Sequence, residues 1–348
     1  MKIGFYNPYF DSFGGGERYT LTLASHWSKH HDVSIFWDDS SVLTKSEQRF
    51  GIDLSKVKVT PNFFLVDNSI SKAIQTSRFD LIFFLSDGSI PFSLATYNIL
   101  HFQVPFGLVS TTPLHLSRIN VIICNSVFTL ENLDVQLRKK AAVIYPPTDM
   151  IEGLSTDKKS KIILSIGRFT SVHTAKKQKE LIDAFISIES TLKGWRLILA
   201  GGLLASDTEY FAKLQTRIRG HSIDLFPNIS HSEIIRLYKI ATIYWHAAGF
   251  GESEAQYMEH FGISTVEAMS AGAVPIVYRG GGQVEIVKDD ENGFLWNTRD
   301  QLCEKTCSLV KDPTRLSVFS KLATQTSKKY TAKVFTDAFD DLLIRLKR

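Results

Sequence analysis

Short apolar runs alternate with amphipathic stretches from one end of the chain to the other, the pattern of parallel strands flanked by helices. In the first half, Lys2–Tyr6, Val33–Trp37, Leu81–Leu85, Asn98–Phe102, Val121–Cys124 and Ala142–Tyr145 read as buried strands. Between them Glu17–Lys29 carries an apolar stripe of Tyr19, Leu21, Leu23, Ala24 and Trp27 at helical spacing. Ser126–Leu137 reads as a second helix with Ser126 as its N-cap.

The pattern then breaks at Pro146-Pro147 and a polar run, Ser155-Thr156-Asp157-Lys158-Lys159-Ser160, marks a linker. It restarts with strand Lys161–Ile166, helix Lys177–Leu192 and strand Arg196–Ala200, the last ending in Gly201-Gly202. Tyr210–Ile218, Ile223–Phe226, Glu233–Ile240, Ile243–Trp245 and Val274–Tyr278 continue the alternation. The expected organisation is a doubly wound domain over residues 1–150, a second over 151–330, and a terminal helix over 331–348. That helix, with Val334, Phe335, Phe339, Leu342 and Leu343 on one stripe, either ends the second domain or crosses back onto the first. Two such halves predict a cleft, with ligands outside the C-terminal ends of the strands.

Composition narrows the class. At 348 residues the chain is too long for one ordinary core. With 44% hydrophobic and 22% charged residues it is globular in type. A net charge of +4 gives no warrant for nucleic-acid binding. Cys124, Cys303 and Cys307 are too few and wrongly spaced for a disulfide framework or zinc site; Cys303 and Cys307, one helical turn apart, read as small core residues suited to a reducing cytoplasm. No run is long enough to span a membrane, and the first residues read as a strand rather than a signal peptide. The expected location is cytoplasmic, with any membrane contact peripheral at the inner face.

The candidate chemistry lies in glycine-rich strand ends. Glu259 and Glu267, eight residues apart, bracket a turn at Gly262, and a helix begins near Ser264. A helix start offers unpaired amides and partial positive charge to a phosphate. Glu267 is placed to accept from a ribose diol and Glu259 to reach a sugar; by spacing alone both also read as solvated helix charges. Gly167-Arg168, followed by Lys176-Lys177, supplies a fork and a point charge for a diphosphate, or simply a solvated basic loop. Gly14-Gly15-Gly16-Glu17 permits close approach of an anion, or is a flexible turn; its spacing is not that of a dinucleotide fingerprint. Arg279-Gly280-Gly281-Gly282-Gln283-Val284-Glu285 repeats the glycine-rich theme, and His101 ends the strand Asn98–Phe102, where a structural or a catalytic role is open.

Taken in order, these segments resemble glycosyltransferase family 4, the retaining sugar-nucleotide enzymes of the GT-B fold, over nearly the whole chain and most strongly from Ile162 to Trp296. Glu259-x7-Glu267, with its internal Phe-Gly and the Glu-Ala-Met-x-Ala-Gly that follows, is similar to the family's paired-glutamate motif. Gly167-Arg168-Phe169 and Lys177-x3-Leu181-Ile182-x-Ala184-Phe185 match its diphosphate-binding Arg and Lys. Gly281-Gly282-x-x-Glu285-Ile286-Val287, Asn292-Gly293-Phe294-Leu295, Gly14-Gly15-x-Glu17 and Asn125-Ser126-x-Phe128-Thr129 match its other landmarks.

The resemblance implies an α/β GT-B chain of two Rossmann-like domains facing a central cleft. Its reaction is transfer of a sugar from a nucleotide-diphosphate sugar to a hydroxyl of a glycan, lipid-linked or small-molecule acceptor, retaining and metal-independent. Arg168 and Lys177 would neutralise the diphosphate, Glu267 bind the ribose and Glu259 contact the transferred sugar. Backbone groups of Phe261, Gly262, Ile263, Ser264 and Thr265 would hold sugar and phosphate, with Gly15 and Gly16 approaching from the first domain. His101 would sit near the reacting sugar, and the base near Gly201-Gly202 and Phe226–Ile229. Neither cofactor nor metal is implied, which leaves Asp38-Asp39 and Asp289-Asp290 on solvated loops. A related Glu-His-Phe-Gly form points to GDP-mannose, with a UDP-sugar also open. The segment Ala247–Met258 is longer than in many members and is a candidate lid or specificity loop. A nucleotide-sugar epimerase of the same fold and a non-catalytic partner subunit are the competing readings.

Overall fold

The computed structural model describes residues 1–65, 69–109, 111–154, 158–172 and 175–348, with Ser69 described in its backbone only. Of the expected linker run, Ser155, Thr156 and Asp157 lie outside the described residues. The chain forms two compact units, one of Met1–Pro147 with Ala332–Arg348, the other of Thr148–Thr331.

In the first unit the strands are β1 (Lys2–Tyr6), β2 (Asp32–Phe36), β3 (Lys58–Thr60), β4 (Leu81–Leu85), β5 (Tyr97–Phe102), β6 (Val121–Cys124) and β7 (Ala141–Val143). They pair in parallel in the order β3-β2-β1-β4-β5-β6-β7. In the second they are β8 (Ser160–Ile166), β9 (Arg196–Gly201), β10 (Ile223–Pro227), β11 (Ala241–His246), β12 (Val274–Tyr278) and β13 (Phe294–Trp296). Their order is β10-β9-β8-β11-β12-β13, again parallel. Helices cover both faces, so central strands such as β4, Leu-Ile-Phe-Phe-Leu, are apolar without alternation. The chain has the α/β GT-B fold.

Several elements depart from the sequence pattern. The expected helix Ser126–Leu137 is two short helices, Val127–Glu131 and Val135–Arg138: the first ends at Asn132, and Asp134 caps the second by accepting from Gln136 N–H. The expected helix from Lys177 begins at Gln178, since Lys177 adopts a left-handed φ of 55°. Cys303 and Cys307 are only partly buried, on a helix, Arg299–Lys311, that packs beside Gln178–Ile188 at a seam where Ser187 Oγ meets Cys303 Sγ at 3.5 Å. Cys124 is in the core.

The terminal helix Ala332–Leu346 belongs to the first unit. Phe335, Phe339, Leu342 and Leu343 are buried there, while Val334 faces outward. Phe339 meets Tyr19, Trp27, Phe83 and Phe335 edge-on, and Asp340 accepts from Trp27 Nε1 at 2.9 Å. Phe339→Ala would open a cavity inside this aromatic group. It is expected to cost about 3–5 kcal/mol, read as a lower urea midpoint at unchanged m-value.

Candidate active site

The second unit gathers its polar groups at the C-terminal ends of β8 and β11. After β8 the chain passes through Gly167 and Arg168, and the Arg168 side chain is exposed with no carboxylate partner among the described residues. Lys176 then reaches Glu259, its Nζ 2.6 Å from Oε2. Lys177, turned by its left-handed backbone, points elsewhere and donates to Glu252 Oε1 at 2.5 Å. The lysine facing the paired-glutamate motif is therefore Lys176, not Lys177. A run of two lysines leaves that register open, and only the local backbone decides it.

β11 ends in His246, which is 1% exposed, with Nε2 lying 3.0 Å from Glu259 Oε2 in contact but without hydrogen-bond alignment. Its Nδ1 has no hydrogen-bond partner among the described residues. Burial pushes His246 down, against the pull of Glu259, so the ring is neutral near pH 7. Burial pushes Glu259 up, but the Lys176 ammonium, helped by His246, outweighs it and holds the carboxyl well below its usual range. The arrangement is a buried carboxylate kept ionised by one cation, with an imidazole beside it. Sequence reasoning missed His246; the available signal was a histidine closing a buried strand at its C-terminal end.

The Glu259 backbone is clamped from the loop after β12. Gly282 N–H donates to Glu259 O at 2.8 Å, and a Cβ at Gly281 would stand 2.0 Å from that same oxygen. Gly262 (φ 121°) then turns the chain into the helix Ile263–Ser270. The amides of Ile263 and Ser264 have no acceptor within that helix. Phe261 is buried against Tyr330, with ring centres 5.2 Å apart, and Ser264 Oγ accepts from Tyr244 Oη at 2.8 Å. Thr265 Oγ1 and both amide atoms of Gln283 are buried without a hydrogen-bond partner among the described residues. Glu267 is half-buried and accepts from Tyr238 Oη at 3.1 Å. Buried orphan polar atoms crowded round one helix start mark a place built to receive a polar ligand.

The ends of β9 and β10, expected near a base, are tied together: Asn228 N–H donates to Gly201 O, and Asn228 Oδ1 accepts from Leu203 N–H at 2.8 Å. The long loop is anchored by Phe250, which packs on Tyr278 and Trp296, and by Glu252 on Lys177. Asp289 and Asp290 are not merely solvated: Lys305 and Arg279 hold Asp289, and Arg315 holds Asp290. Asp38 accepts from Asn62 N–H and Asp39 from Ser41.

In the first unit, Gly15 and Gly16 open the helix Gly15–Ser28. Glu17 is spent locally, accepting from Gly14 N–H at 2.6 Å, Ser12 Oγ at 2.7 Å and Asn7 Nδ2 at 3.2 Å. His101 is buried in the first unit, and its Nε2 has no hydrogen-bond partner among the described residues. It is 0% exposed, stacked on Tyr19 with ring centres 3.9 Å apart, and its Nδ1 lies 3.0 Å from Ile123 O. Burial pushes its pKa down to about 3, so the ring is an uncharged core element. No helix among the described residues is long and apolar enough to cross a membrane.

The two parallel sheets place the chain in the GT-B class. It belongs to the family Glycosyl transferases group 1, whose model matches residues 148–327. It is 28% identical over 238 residues to the Xenopus tropicalis GDP-Man:Man(3)GlcNAc(2)-PP-Dol alpha-1,2-mannosyltransferase, covering 64% of this chain and 46% of that protein. The chain spans less than half the length of the curated relatives it matches. Among solved structures, a glycosyltransferase from Rickettsia africae superposes with a TM-score of 0.77 at 18% identity, covering 100% of this chain and 98% of that one. Anabaena HepE in complex with UDP and glucose gives 0.74 at 18%, covering 99% and 100%.

The Glu259 carboxyl titrates lower in the folded protein than its ordinary 4.5. The stability this contributes is full above 4.5 and is lost as pH falls through the folded value. Lys176→Met is expected to cost roughly 3 kcal/mol at pH 7. The gap to the wild type should narrow as the pH of a denaturant series drops below 4.5.

Proposed function

We propose that the protein transfers a hexosyl group from a nucleotide-diphosphate sugar to an acceptor hydroxyl, with retention of configuration and without a metal ion. The observation that carries this is the placement, at the C-terminal ends of β8 and β11, of an exposed Arg168, the Lys176–Glu259 pair and the Ile263–Ser270 helix start. Breaking the bond between sugar and phosphate develops negative charge on the diphosphate and positive charge on the ring. A guanidinium, an ammonium and free amides meet the first; a carboxylate held ionised stands ready for the second. The same cations fulfil the charge-neutralising role a metal would otherwise take.

Glu267, half-buried and hydrogen-bonded by Tyr238, is assigned to the ribose hydroxyls, and the orphan atoms of His246, Thr265 and Gln283 to the pocket around the sugar. Retention is assigned by membership of the family rather than by geometry: the leaving phosphate takes the acceptor's proton on the same face, so no side chain is needed as base. The relatives leave GDP-mannose and UDP-glucose as the leading donors, since one name carries GDP-Man and one structure holds UDP and glucose.

Thermal shift with UDP, GDP, UDP-glucose and GDP-mannose identifies the base, because a binder raises stability by mass action. Nucleoside diphosphate release that depends on added acceptor supports transfer; sugar isomerisation without release would instead make the protein an epimerase. No nucleotide binding by calorimetry would reduce it to a scaffold. Arg168→Ala and Lys176→Ala are each expected to lower turnover about a hundredfold. Lys177→Ala, whose ammonium is engaged by Glu252, is expected to lower it less than about tenfold.

A further inference from the structure

We propose that a cavity of about 470 Å³ in the first unit, lined by Tyr6, Phe64, Lys72, Phe92 and His115, seats a hexopyranosyl unit of the acceptor. This rests on the transferase reading, and the test below separates the two.

The first observation is position. Tyr6 closes β1, and Ser89, Pro91 and Phe92, which also line the cavity, follow β4. These strands are neighbours, yet β1 leads the order outward to β2 and β4 leads it the other way to β5. The cavity therefore lies beyond the C-terminal strand ends where the winding of this sheet reverses, the place where open parallel sheets take ligands.

The second is the chemistry of its walls. Tyr6 lies tilted against Phe64 with ring centres 4.5 Å apart, and Phe64 continues inward to Phe36, Phe63 and Phe84. The aromatic surface is thus the outer edge of a packed cluster, held in place before any ligand arrives. Phe92 stands 5.5 Å from the His115 ring on another wall. Aromatic faces suit the C–H face of a pyranose.

The polar groups complete the match. His115 Nδ1 lies 2.9 Å from Ile90 O, and a carbonyl only accepts, so Nδ1 carries hydrogen, and in a neutral imidazole Nε2 is then the acceptor. Lys72 has no carboxylate partner among the described residues, and its ammonium only donates. Burial, then Asp87 and Tyr9, push the Tyr6 phenol up, which keeps it protonated as a further donor. Donors and an acceptor beside aromatic faces are what a ring of hydroxyls requires, since each hydroxyl both gives and takes a hydrogen bond. The loop that carries Ser89 is already ordered: Asp87 Oδ1 accepts from Ser89 N–H and Oγ, and Ser86 Oγ donates to Ser89 O.

The test is ligand-observed NMR titration of the full chain with methyl α-D-mannopyranoside, methyl β-D-glucopyranoside and N-acetyl-D-glucosamine, with UDP and GDP titrated in parallel. At least one saccharide should bind saturably. Phe92→Leu, which keeps an apolar side chain but removes the aromatic face, should weaken that saccharide about three- to tenfold and leave nucleotide binding unchanged. Phe92→Ala should weaken it further, with the melting temperature read alongside to confirm folding. Saccharide binding unaltered in Phe92→Leu, or no saturable binding by any of the three to a protein that binds UDP or GDP, overturns the assignment. Loss of nucleotide binding in the wild type would instead overturn the transferase reading itself.

Discussion

The second unit is organised about one electrostatic requirement, that Glu259 stay ionised while largely buried. An isolated carboxylate there would protonate rather than bear the loss of water. Lys176 arrives from the turn after β8 and His246 from the end of β11, so the charge is stable only when two neighbouring strands and the loop after β11 are assembled. The loop after β12 joins the arrangement through the backbone, Gly281 and Gly282 packing against the carbonyls of Glu259 and His260. The site is therefore a product of sheet order. Each partner sits on an element whose neighbour in space is distant in sequence.

The same region concentrates unsatisfied polar atoms, while much of the unit's buried polar surface is paired. Trp245 Nε1 finds Thr306, and Thr242, Ser270 and Ser320 each donate to a backbone carbonyl. By contrast His246, beside Glu259, Gln283, against Gly262, and Thr265, three residues further on, carry atoms without partners among the described residues. Leaving buried donors unpaired costs about 1–3 kcal/mol each. A fold retains that cost where a ligand will satisfy them.

The first unit follows a different logic. Its histidine at the end of β5 is sealed under Tyr19, and its glycine-rich helix start is rigidified by Glu17. Its polar opening is instead at the reversal between β1 and β4, where an aromatic cluster runs out to solvent. The terminal helix closes the opposite side of the core through Phe335 and Phe339.

Strand content, the two-sheet organisation and the helix that opens at Gly262 were legible in the sequence, because burial on both faces writes itself as apolar runs and a turn of positive φ demands glycine. The placement of Arg168 after a strand, and of Glu259 and Glu267 on either side of a glycine turn, was legible too, since strand ends and glycine turns are local features. Other assignments were decided only by tertiary structure. Lys176 and Lys177 are chemically alike, and the left-handed backbone at Lys177 sends them to different carboxylates. His101 and His246 both end buried strands, yet one stacks inside an aromatic core and the other touches Glu259. Strand periodicity tells which residues are buried; it does not tell what they are buried against, because that depends on which strands lie side by side.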